Sequence, residues 1–223
     1  MIRCFIATGN AHKVEELRGL LGSGASLCSQ QDLESRVEPD ETGATFEANA
    51  RIKSVAWARH LGALPGSAPA DWVLADDSGL EVEALEGAPG VHSARFAALD
   101  DGRPGNSPDA ENNAKLLRLL DPVPDDRRRA RFRCVLAFTP VLPGAGEPEL
   151  QARTLCFDGV CSGRITRAPA GPGGFGYDPL FVPDGYAHSF AELGEAVKRQ
   201  LSHRARAAEA LRRHLNAEGG RRK

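Results

Sequence analysis

The sequence has no long hydrophobic segment. No run of about eighteen apolar residues occurs, which is the length that a membrane-spanning helix needs. The first residues, Met1 to Phe5, lead directly into an apolar strand pattern and lack the basic and apolar regions of a signal peptide. We therefore expect a cytoplasmic protein with no membrane partner.

Cysteine pairs and an excess of charge are also missing. The five cysteines are an odd number and form no CxxC pair, so neither a disulfide framework nor a zinc site is predicted. The formal net charge is −2, whereas proteins that coat nucleic acid need a large basic excess. The arginines between Arg127 and Arg133 alternate with apolar residues, as on the solvent face of a strand. We expect a small-molecule partner and no nucleic acid.

Lysine is scarce, because arginine outnumbers it 23 to 5. Three of the five lysines, Lys13, Lys53 and Lys198, lie in or beside segments that have other features of a binding site. A lysine ammonium acts as a compact point charge on phosphate oxygens. The distribution of lysine therefore favours phosphate contacts at these three positions.

Strand and helix patterns alternate along the chain, which predicts an α/β fold. A length of 223 residues with 41% hydrophobic content is enough for one domain over residues 1–218, followed by a basic, disordered tail over 219–223. A helical pattern follows residue 13, and Ser189 with Glu192 forms a capping box. The predicted strands cover 3–8, 72–75 with an extended continuation over 80–85, 129–139 and 149–158, and the other predicted helices cover 45–61, 106–120 and 203–215.

The connection from the first strand to the first helix has the features of an anion site. Its glycine allows close approach, and the amides at the start of a helix bind anions. The segment lacks the GxxxxGK[ST] pattern of a Walker A loop, and a plain Gly-Asn turn before a helix is the alternative. The connection consists of Thr8, Gly9, Asn10, Ala11, His12 and Lys13.

An acid pair, Asp76-Asp77, follows four largely apolar residues and precedes Ser78-Gly79. We expect it at the carboxyl edge of a strand, where ligands of open α/β sheets collect. Carboxylates match Mg²⁺, which takes one or two of them together with phosphate oxygens. A simple Asp-Ser-Gly turn is the alternative. Asp40-Glu41, just ahead of the second helix, either adds a ligand or favours the helix amino end.

Two later segments suit a planar base. Phe175 lies among glycines in Gly173–Asp178, which leaves one ring face open for stacking on a base. A glycine-rich turn with a core aromatic is the alternative and, for this segment alone, the more common case. Ser202 is a helix-capping residue, and His203 and Arg204 follow it as donors in the first helical turn, where positive charge opposes the helix dipole. Such a local conflict often marks a functional site, with surface variation as the alternative.

These motifs, in this order, resemble the inosine triphosphate pyrophosphatase family. The resemblance runs from ATGNAHKVEEL through ETGATFEANARIKS, LADDSGLEVEALEGAPGVHSARFA and GGFGYDPLF to SHRARA. It implies an elongated α/β fold with a mixed central sheet flanked by helices, two lobes with an active-site cleft between them, and a homodimer. It also implies hydrolysis of non-standard purine nucleoside triphosphates, such as ITP, dITP and XTP, to the monophosphate and pyrophosphate.

The resemblance further implies roles for single residues. Asp77 is the general base, Glu41 and Asp77 hold Mg²⁺, and Lys13 and Lys53 balance the charge of the leaving pyrophosphate. Two alternatives stay open: a pyrophosphatase for another modified nucleotide, such as a modified pyrimidine, and a non-catalytic nucleotide- or RNA-binding module. The implied phosphate-binding residues are Thr8, Gly9, Asn10, Ala11, His12 and Lys13, and the other implied nucleotide-binding residues are Ser78, Phe175, Gly176, Tyr177, Asp178, Lys198, His203 and Arg204.

Overall fold

Six strands form one sheet. The computed structural model describes residues 2–22, 25–33, 37–66 and 68–221, with the backbone alone for 218–221. The strands are β1 (Ile2–Ile6), β2 (Ala25–Ser29), β3 (Trp72–Val82), β4 (Arg129–Pro140), β5 (Leu155–Ile165) and β6 (Phe181–Pro183). Their order in the sheet is β2-β1-β3-β4-β5-β6.

The sheet is mixed, as predicted. Strand β1 is parallel to both of its neighbours, with Ile2 opposite Ala25 in β2 and Cys4 opposite Trp72 in β3. Strands β5 and β6 are antiparallel, with Gly163 opposite Pro183. Parallel strands need cover on both faces, which agrees with the run of buried residues from Cys4 onwards in β1.

Six α-helices accompany the strands in the described part of the chain. Capping side chains define several of their starts: the Thr45 hydroxyl accepts from the Ala48 amide at 3.1 Å, and Ser189 and Glu192 form the predicted capping box. None of the helices in the described ranges combines the length and the hydrophobicity that a membrane crossing requires. The helices are α1 (Ala11–Leu21), α2 (Phe46–Ala63), α3 (Asp109–Leu120), α4 (Glu147–Arg153), α5 (Phe190–Leu201) and α6 (His203–Arg221).

The chain divides into two compact units. The first contains Met1–Asp77, Cys134–Asp158 and Ala207–Lys223, and the second contains Ser78–Arg133 and Gly159–Arg206. Each unit has a core of its own. The first includes the ring pair of Phe5 and Trp57, whose centroids lie 4.5 Å apart. The core of the second includes the packed aromatic residues Phe132, Phe181 and Phe190.

Strand β3 is longer than the sequence predicted, and this corrects the position of the acid pair. Asp76 and Asp77 were expected at the carboxyl end of a strand, but they lie in the middle of β3. The strand that ends near them is β1, whose pairing with β3 stops at Ile6, opposite Leu74. In the sheet, the acid pair therefore lies just beyond the end of the neighbouring strand β1. This position depends on the register of β1 against β3, which a local sequence pattern does not show.

Two further predictions were wrong near the carboxyl half of the chain. Residues 149–158 were predicted as one strand, but helix α4 covers Glu147–Arg153 and β5 begins only at Leu155. Pro148 and two acidic residues in the first turn favour that short helix. Helix α6 continues past the predicted end at residue 215 and extends to Arg221. Residues 222–223 of the predicted tail lie outside the described residues.

The arginine cluster on β4 belongs to a charged strand face within the second unit. Arg129 binds Asp184 at 2.7 Å, and Arg131 binds Glu81 at 2.5 Å. Arg128 is buried and donates to main-chain carbonyls, among them that of Leu120 at 2.7 Å. These ion pairs and carbonyl contacts give the cluster a structural role, which agrees with the alternation seen in the sequence.

Candidate functional site

A lysine on helix α2 joins two carboxylates in the first unit. Lys53 Nζ lies 2.8 Å from Asp77 Oδ1 on β3 and 3.0 Å from Glu41 Oε2 in the segment before α2. Burial lowers the pKa of Lys53, but the charges of Asp77 and Glu41 outweigh it and hold that pKa above its ordinary value. Lys53 is therefore a firmly charged ammonium between two acidic groups.

A second lysine contacts the other member of the acid pair. Lys13 Nζ, in the first turn of α1, lies 2.6 Å from Asp76 Oδ1, and the Asp76 side chain is fully buried. The second oxygen of Asp76 accepts a hydrogen bond from the Cys134 thiol at 3.1 Å. Both oxygens of Asp76 are thus engaged by the protein. Together these residues form the lysine–carboxylate cluster, which comprises Lys13, Glu41, Lys53, Asp76 and Asp77.

Asp77 differs from its neighbour in the use of its oxygens. Its Oδ1 binds Lys53, whereas its Oδ2 is buried and has no hydrogen-bond partner among the described residues. Burial raises the pKa of Asp77 to about 6, against the opposing charges of Lys53 and Lys13. A buried carboxylate oxygen without a donor is costly unless a ligand or a cation completes it. Of the two acids, Asp77 is therefore the one whose carboxylate can still bind a ligand or a cation.

The residues of the cluster fit Mg²⁺. Across the described residues, no three His, Cys, Asp or Glu side chains come together as a protein-only metal site. Mg²⁺ needs only one or two protein carboxylates, because waters and phosphate oxygens complete its shell. The unpartnered Asp77 Oδ2 and the Glu41 carboxylate, both next to Lys53, supply that number. The pair suits a metal that is bound together with a phosphate ligand.

The strand-to-helix connection after β1 begins α1 as predicted. The Asn10 side chain caps the helix by accepting from the Lys13 amide at 3.2 Å, and the Thr8 hydroxyl accepts from the Asn10 amide at 3.2 Å. Ala11 and His12 are the first residues of the helix, whose first turn carries no acidic side chain. The positive end of the α1 dipole is therefore not neutralised by its own side chains.

The second unit contains another group, the loop cluster, which comprises Phe175, Asp178 and Lys198. Lys198 Nζ lies 2.6 Å from Asp178 Oδ2 and 4.3 Å from the centre of the Phe175 ring. The same carboxylate oxygen accepts from the Phe175 amide at 2.9 Å. Lys198 and Asp178 are both buried, so this ion pair holds the aromatic loop to helix α5.

His203 and Arg204 are buried at the start of α6. The His203 ring stacks on Phe132, with centroids 4.8 Å apart and an interplanar angle of 13°. Arg204 donates to the Ser78 hydroxyl at 2.9 Å. The Ser202 hydroxyl accepts from the Ala205 amide at 3.1 Å, which confirms the predicted serine cap. The two donors in the first turn are thus held by packing and by hydrogen bonding, not left on the surface.

Known proteins resemble this chain along almost its whole length. The model of the Ham1 family matches residues 4–214. A dITP/XTP pyrophosphatase from Opitutus terrae is 44% identical, with 99% of this chain and 100% of that protein covered. The dITP/XTP pyrophosphatase of Pseudomonas syringae pv. tomato is 47% identical, with 96% of each chain covered. The structure of the Staphylococcus aureus Ham1 protein aligns with a TM-score of 0.77 at 35% identity and covers 97% of this chain and 99% of that one.

The chain belongs to the Ham1 family. The resemblance drawn from the five motifs is thereby confirmed, and the α/β fold with a mixed sheet agrees with the solved Ham1 structures. In this Ham1-family chain the structure brings Lys13, Lys53, Glu41 and Asp77 into one cluster. It brings Phe175, Asp178 and Lys198 into another, with Tyr177 bonded to Ser93 at 2.9 Å. The individual roles of these residues stay predictions.

Two residues that support the lysine–carboxylate cluster were missed from the sequence. Asn49 is buried, and its Oδ1 accepts from the Gly43 amide at 2.8 Å, which holds the segment that carries Glu41. Asn49 precedes Lys53 by four residues on α2, so helical spacing alone could have placed it on the same face. Cys134 donates to Asp76 on β3, and this contact could be known only from the pairing of strands in the sheet.

Proposed function

We propose that this chain hydrolyses non-standard purine nucleoside triphosphates, such as ITP, dITP and XTP, to the nucleoside monophosphate and pyrophosphate. The observation that carries the proposal is the lysine–carboxylate cluster, in a chain that curated dITP/XTP pyrophosphatases match almost end to end. The chemistry is that of a hydrolase acting on an acid anhydride. Water attacks the α-phosphorus, and pyrophosphate is the leaving group.

The cluster divides this work between its members. Asp77 accepts the proton of the attacking water, and its Oδ2, which has no hydrogen-bond partner among the described residues, is the oxygen assigned to Mg²⁺. Lys53 orients Asp77 and contributes positive charge, and Lys13 adds a second point charge for the phosphates. Residues Thr8–His12, at the start of α1, bind phosphate oxygens with the helix dipole behind them.

Glu41 and Asp77 are proposed to hold Mg²⁺. When bound, the ion would neutralise charge on the phosphate oxygens and on the leaving pyrophosphate. Lys53 keeps the two carboxylates close together before the ion binds, because its ammonium lies within 3.0 Å of each. Asp76 has both oxygens engaged by Lys13 and Cys134, so we do not assign it to the metal.

The loop cluster is proposed to recognise the purine. Phe175 stacks on the base with the ring face opposite the Lys198 ammonium, and Asp178 holds that ammonium in place. His203 and Arg204 supply donors for the carbonyl at position six of hypoxanthine and xanthine. The remaining proposed nucleotide contacts are Ser78, Gly176 and Tyr177.

The proposal includes a homodimer, which rests on the family resemblance. It also includes a cytoplasmic location and no nucleic-acid or membrane partner, which rest on composition and on the net charge of −2.

Release of pyrophosphate from a panel of nucleotides tests the proposed function. The panel contains ITP, dITP, XTP, ATP, GTP and a modified pyrimidine triphosphate, each with Mg²⁺ and with Mg²⁺ removed by EDTA. We expect turnover of the first three in Mg²⁺, much slower turnover of ATP and GTP, and none in EDTA. If the modified pyrimidine triphosphate is hydrolysed in preference to the purines, the proposed substrate class is wrong and modified pyrimidines take its place. If the protein binds RNA in a salt-sensitive way and hydrolyses none of the nucleotides, it is a binding module and not an enzyme.

The contact between Lys13 and Asp76 predicts that the shape of the cation at position 13 affects catalysis. Lys13→Ala is expected to raise KM and lower kcat for ITP, because a phosphate ligand and the partner of a buried carboxylate are lost together. Lys13→Arg is also expected to be poor, since a planar guanidinium does not replace a compact ammonium 2.6 Å from a fully buried oxygen. Steady-state kinetics provide the measurement.

Arg18→Ala is the control for Lys13, because Arg18 lies on the same helix and makes an exposed contact with Asp32. It should leave both kinetic constants unchanged. Full activity of Lys13→Arg would contradict the assignment of Lys13 as a point charge.

A further inference from the structure

The loop Gly173–Asp178 depends on two glycines in the left-handed region, Gly174 at φ 77° and Gly176 at φ 62°. A Cβ on Gly174 would come within 2.5 Å of the Asp178 carboxylate, so that position is closely packed. A Cβ on Gly176 would meet no atom of the described residues within 4 Å, so Gly176 is needed for its backbone angle alone. Because glycine is conformationally permissive, contacts of its backbone must hold that angle.

Helix α3 provides those contacts. The Gly176 N–H donates to Asp109 Oδ2 at 2.6 Å, and the Gly176 carbonyl accepts from Asn113 Nδ2 at 3.0 Å. Asp109 and Asn113 are four residues apart, so they share one face of the helix. The first bond orients the peptide plane before Gly176 and the second orients the plane after it. Together the two side chains, here called the Gly176 clamp, set both soft dihedrals of this residue.

The clamp bonds both sides of Gly176, whereas the Asp178 amide reaches only the preceding peptide, through the Phe175 carbonyl at 3.3 Å. The Tyr177 hydroxyl donates to the Ser93 carbonyl at 2.9 Å, and Asp178 binds Lys198, so both of these anchors lie on the carboxyl side of Gly176. The peptide plane that Asp109 holds comes directly after Phe175. Its orientation fixes ψ of Phe175 and so contributes, with the Asp178 and Lys198 contacts, to the direction in which the Phe175 ring projects.

A contribution to folding stability does not by itself explain why residue 113 is an asparagine. Asn113 is buried, and its Oδ1 has no hydrogen-bond partner among the described residues. A buried acceptor left unsatisfied is unfavourable, and a leucine of similar volume would avoid it. The bond from Nδ2 to Gly176 is what distinguishes asparagine from leucine at this position.

We infer that Asp109 and Asn113 are positioning residues for base recognition, which act through Gly176 on the Phe175 ring and so set the affinity for the purine. The inference rests on the proposed function, in which Phe175 stacks on the base. The lysine–carboxylate cluster carries the phosphate chemistry and shares no residue with the clamp. Loss of the clamp should therefore appear in KM and not in kcat.

Three substitutions separate positioning from folding. Asp109→Ala removes the acceptor, whereas Asp109→Asn loses the same charge but keeps an oxygen that can accept from the Gly176 amide. We expect Asp109→Ala to raise KM for ITP and XTP about fivefold, the order of one lost hydrogen bond, with kcat almost unchanged. Asp109→Asn should have a KM close to that of the wild type. Asn113→Leu should unfold at the same or a higher temperature than the wild type and still raise KM.

Amide hydrogen exchange of the 173–178 segment measures the effect of the clamp independently of enzyme activity. The Gly176 amide should exchange faster in Asp109→Ala than in the wild type, and at nearly the wild-type rate in Asp109→Asn. Glu111→Ala is the matched control, because Glu111 lies in the same first turn of α3 but binds Arg103 at 2.7 Å. It should change neither KM nor the exchange of the loop.

The outcomes distinguish this inference from the proposed function. A wild-type KM in Asp109→Ala or in Asn113→Leu would overturn the inference and leave the proposed function standing. An Asp109→Asn variant as impaired as Asp109→Ala would also overturn it, because charge and not the hydrogen bond would then matter. A wild-type enzyme that releases no pyrophosphate from any purine triphosphate would overturn the proposed function, and the inference with it.

Discussion

Asp77→Asn is expected to lower the rate of pyrophosphate release from ITP by about 10²- to 10⁴-fold, the usual loss on removal of a general base. Asparagine keeps the shape of the side chain, and its oxygen can still accept the 2.8 Å bond from Lys53. It loses the charge, the basicity and the Oδ2 atom, which has no hydrogen-bond partner among the described residues and on which the proposed chemistry depends. The fold should persist, so circular dichroism and thermal unfolding should resemble those of the wild type while turnover is lost.

Asp71→Asn is the control for this substitution. Asp71 immediately precedes strand β3, lies half-exposed and binds Arg3, so the same chemical change there should leave turnover intact. A folded Asp77→Asn enzyme with a near wild-type rate would remove Asp77 from the mechanism. The proton acceptor would then have to be sought elsewhere.

Lys198→Met is expected to reduce the free energy of unfolding by about 3–5 kcal/mol, as measured for the loss of one partner of a buried ion pair. Lys198 and Asp178 are each 3% exposed at the side chain and lie 2.6 Å apart. Methionine preserves most of the side-chain volume but leaves the Asp178 carboxylate buried without its ammonium. The Phe175 ring also loses its cation contact. Urea denaturation, followed by circular dichroism, measures the change.

Arg199→Met provides the comparison, because Arg199 is the next residue of α5 and is exposed. It should change the free energy of unfolding by about 0.5 kcal/mol or less. The double variant Lys198→Met with Asp178→Asn should recover part of the loss, since no unpaired charge is then buried. A Lys198→Met protein as stable as the wild type would contradict the importance of this pair.

The fold was largely predictable where local pattern and local chemistry agree. The start of α2 was read from the capping side chain of Thr45, and the structure shows the bond to the Ala48 amide. The alternation of arginine with Phe132 and its apolar neighbours predicts a half-exposed β4, and burial alternates in this way over 129–133, whereas 134–140 are buried throughout. The strand prediction over 149–158 is wrong because the apolar pattern of a short helix resembles that of a strand over so few residues, although Pro148 is typical of a helix start.

The candidate site was predictable as a set of segments but not as a set of contacts. Lysine scarcity indicated Lys13 and Lys53, and the structure places both on carboxylates of the acid pair. Nothing local in the sequence shows that Lys13 contacts Asp76 and Lys53 contacts Asp77, because these partners are 63 and 24 residues apart. Pairing over such separations depends on the register of β1 against β3 and on the packing of α2.

The sequence by itself determined the α/β class, the Ham1-family motifs and the residue types available for chemistry, because these depend on periodicity, composition and order along the chain. Tertiary structure alone decided how the oxygens of two adjacent aspartates are used. Asp76 and Asp77 are chemically identical, but one meets Lys13 and Cys134, while the other keeps a buried oxygen without a partner among the described residues. Successive side chains of a strand point to opposite faces, so their surroundings are set by other elements of the fold.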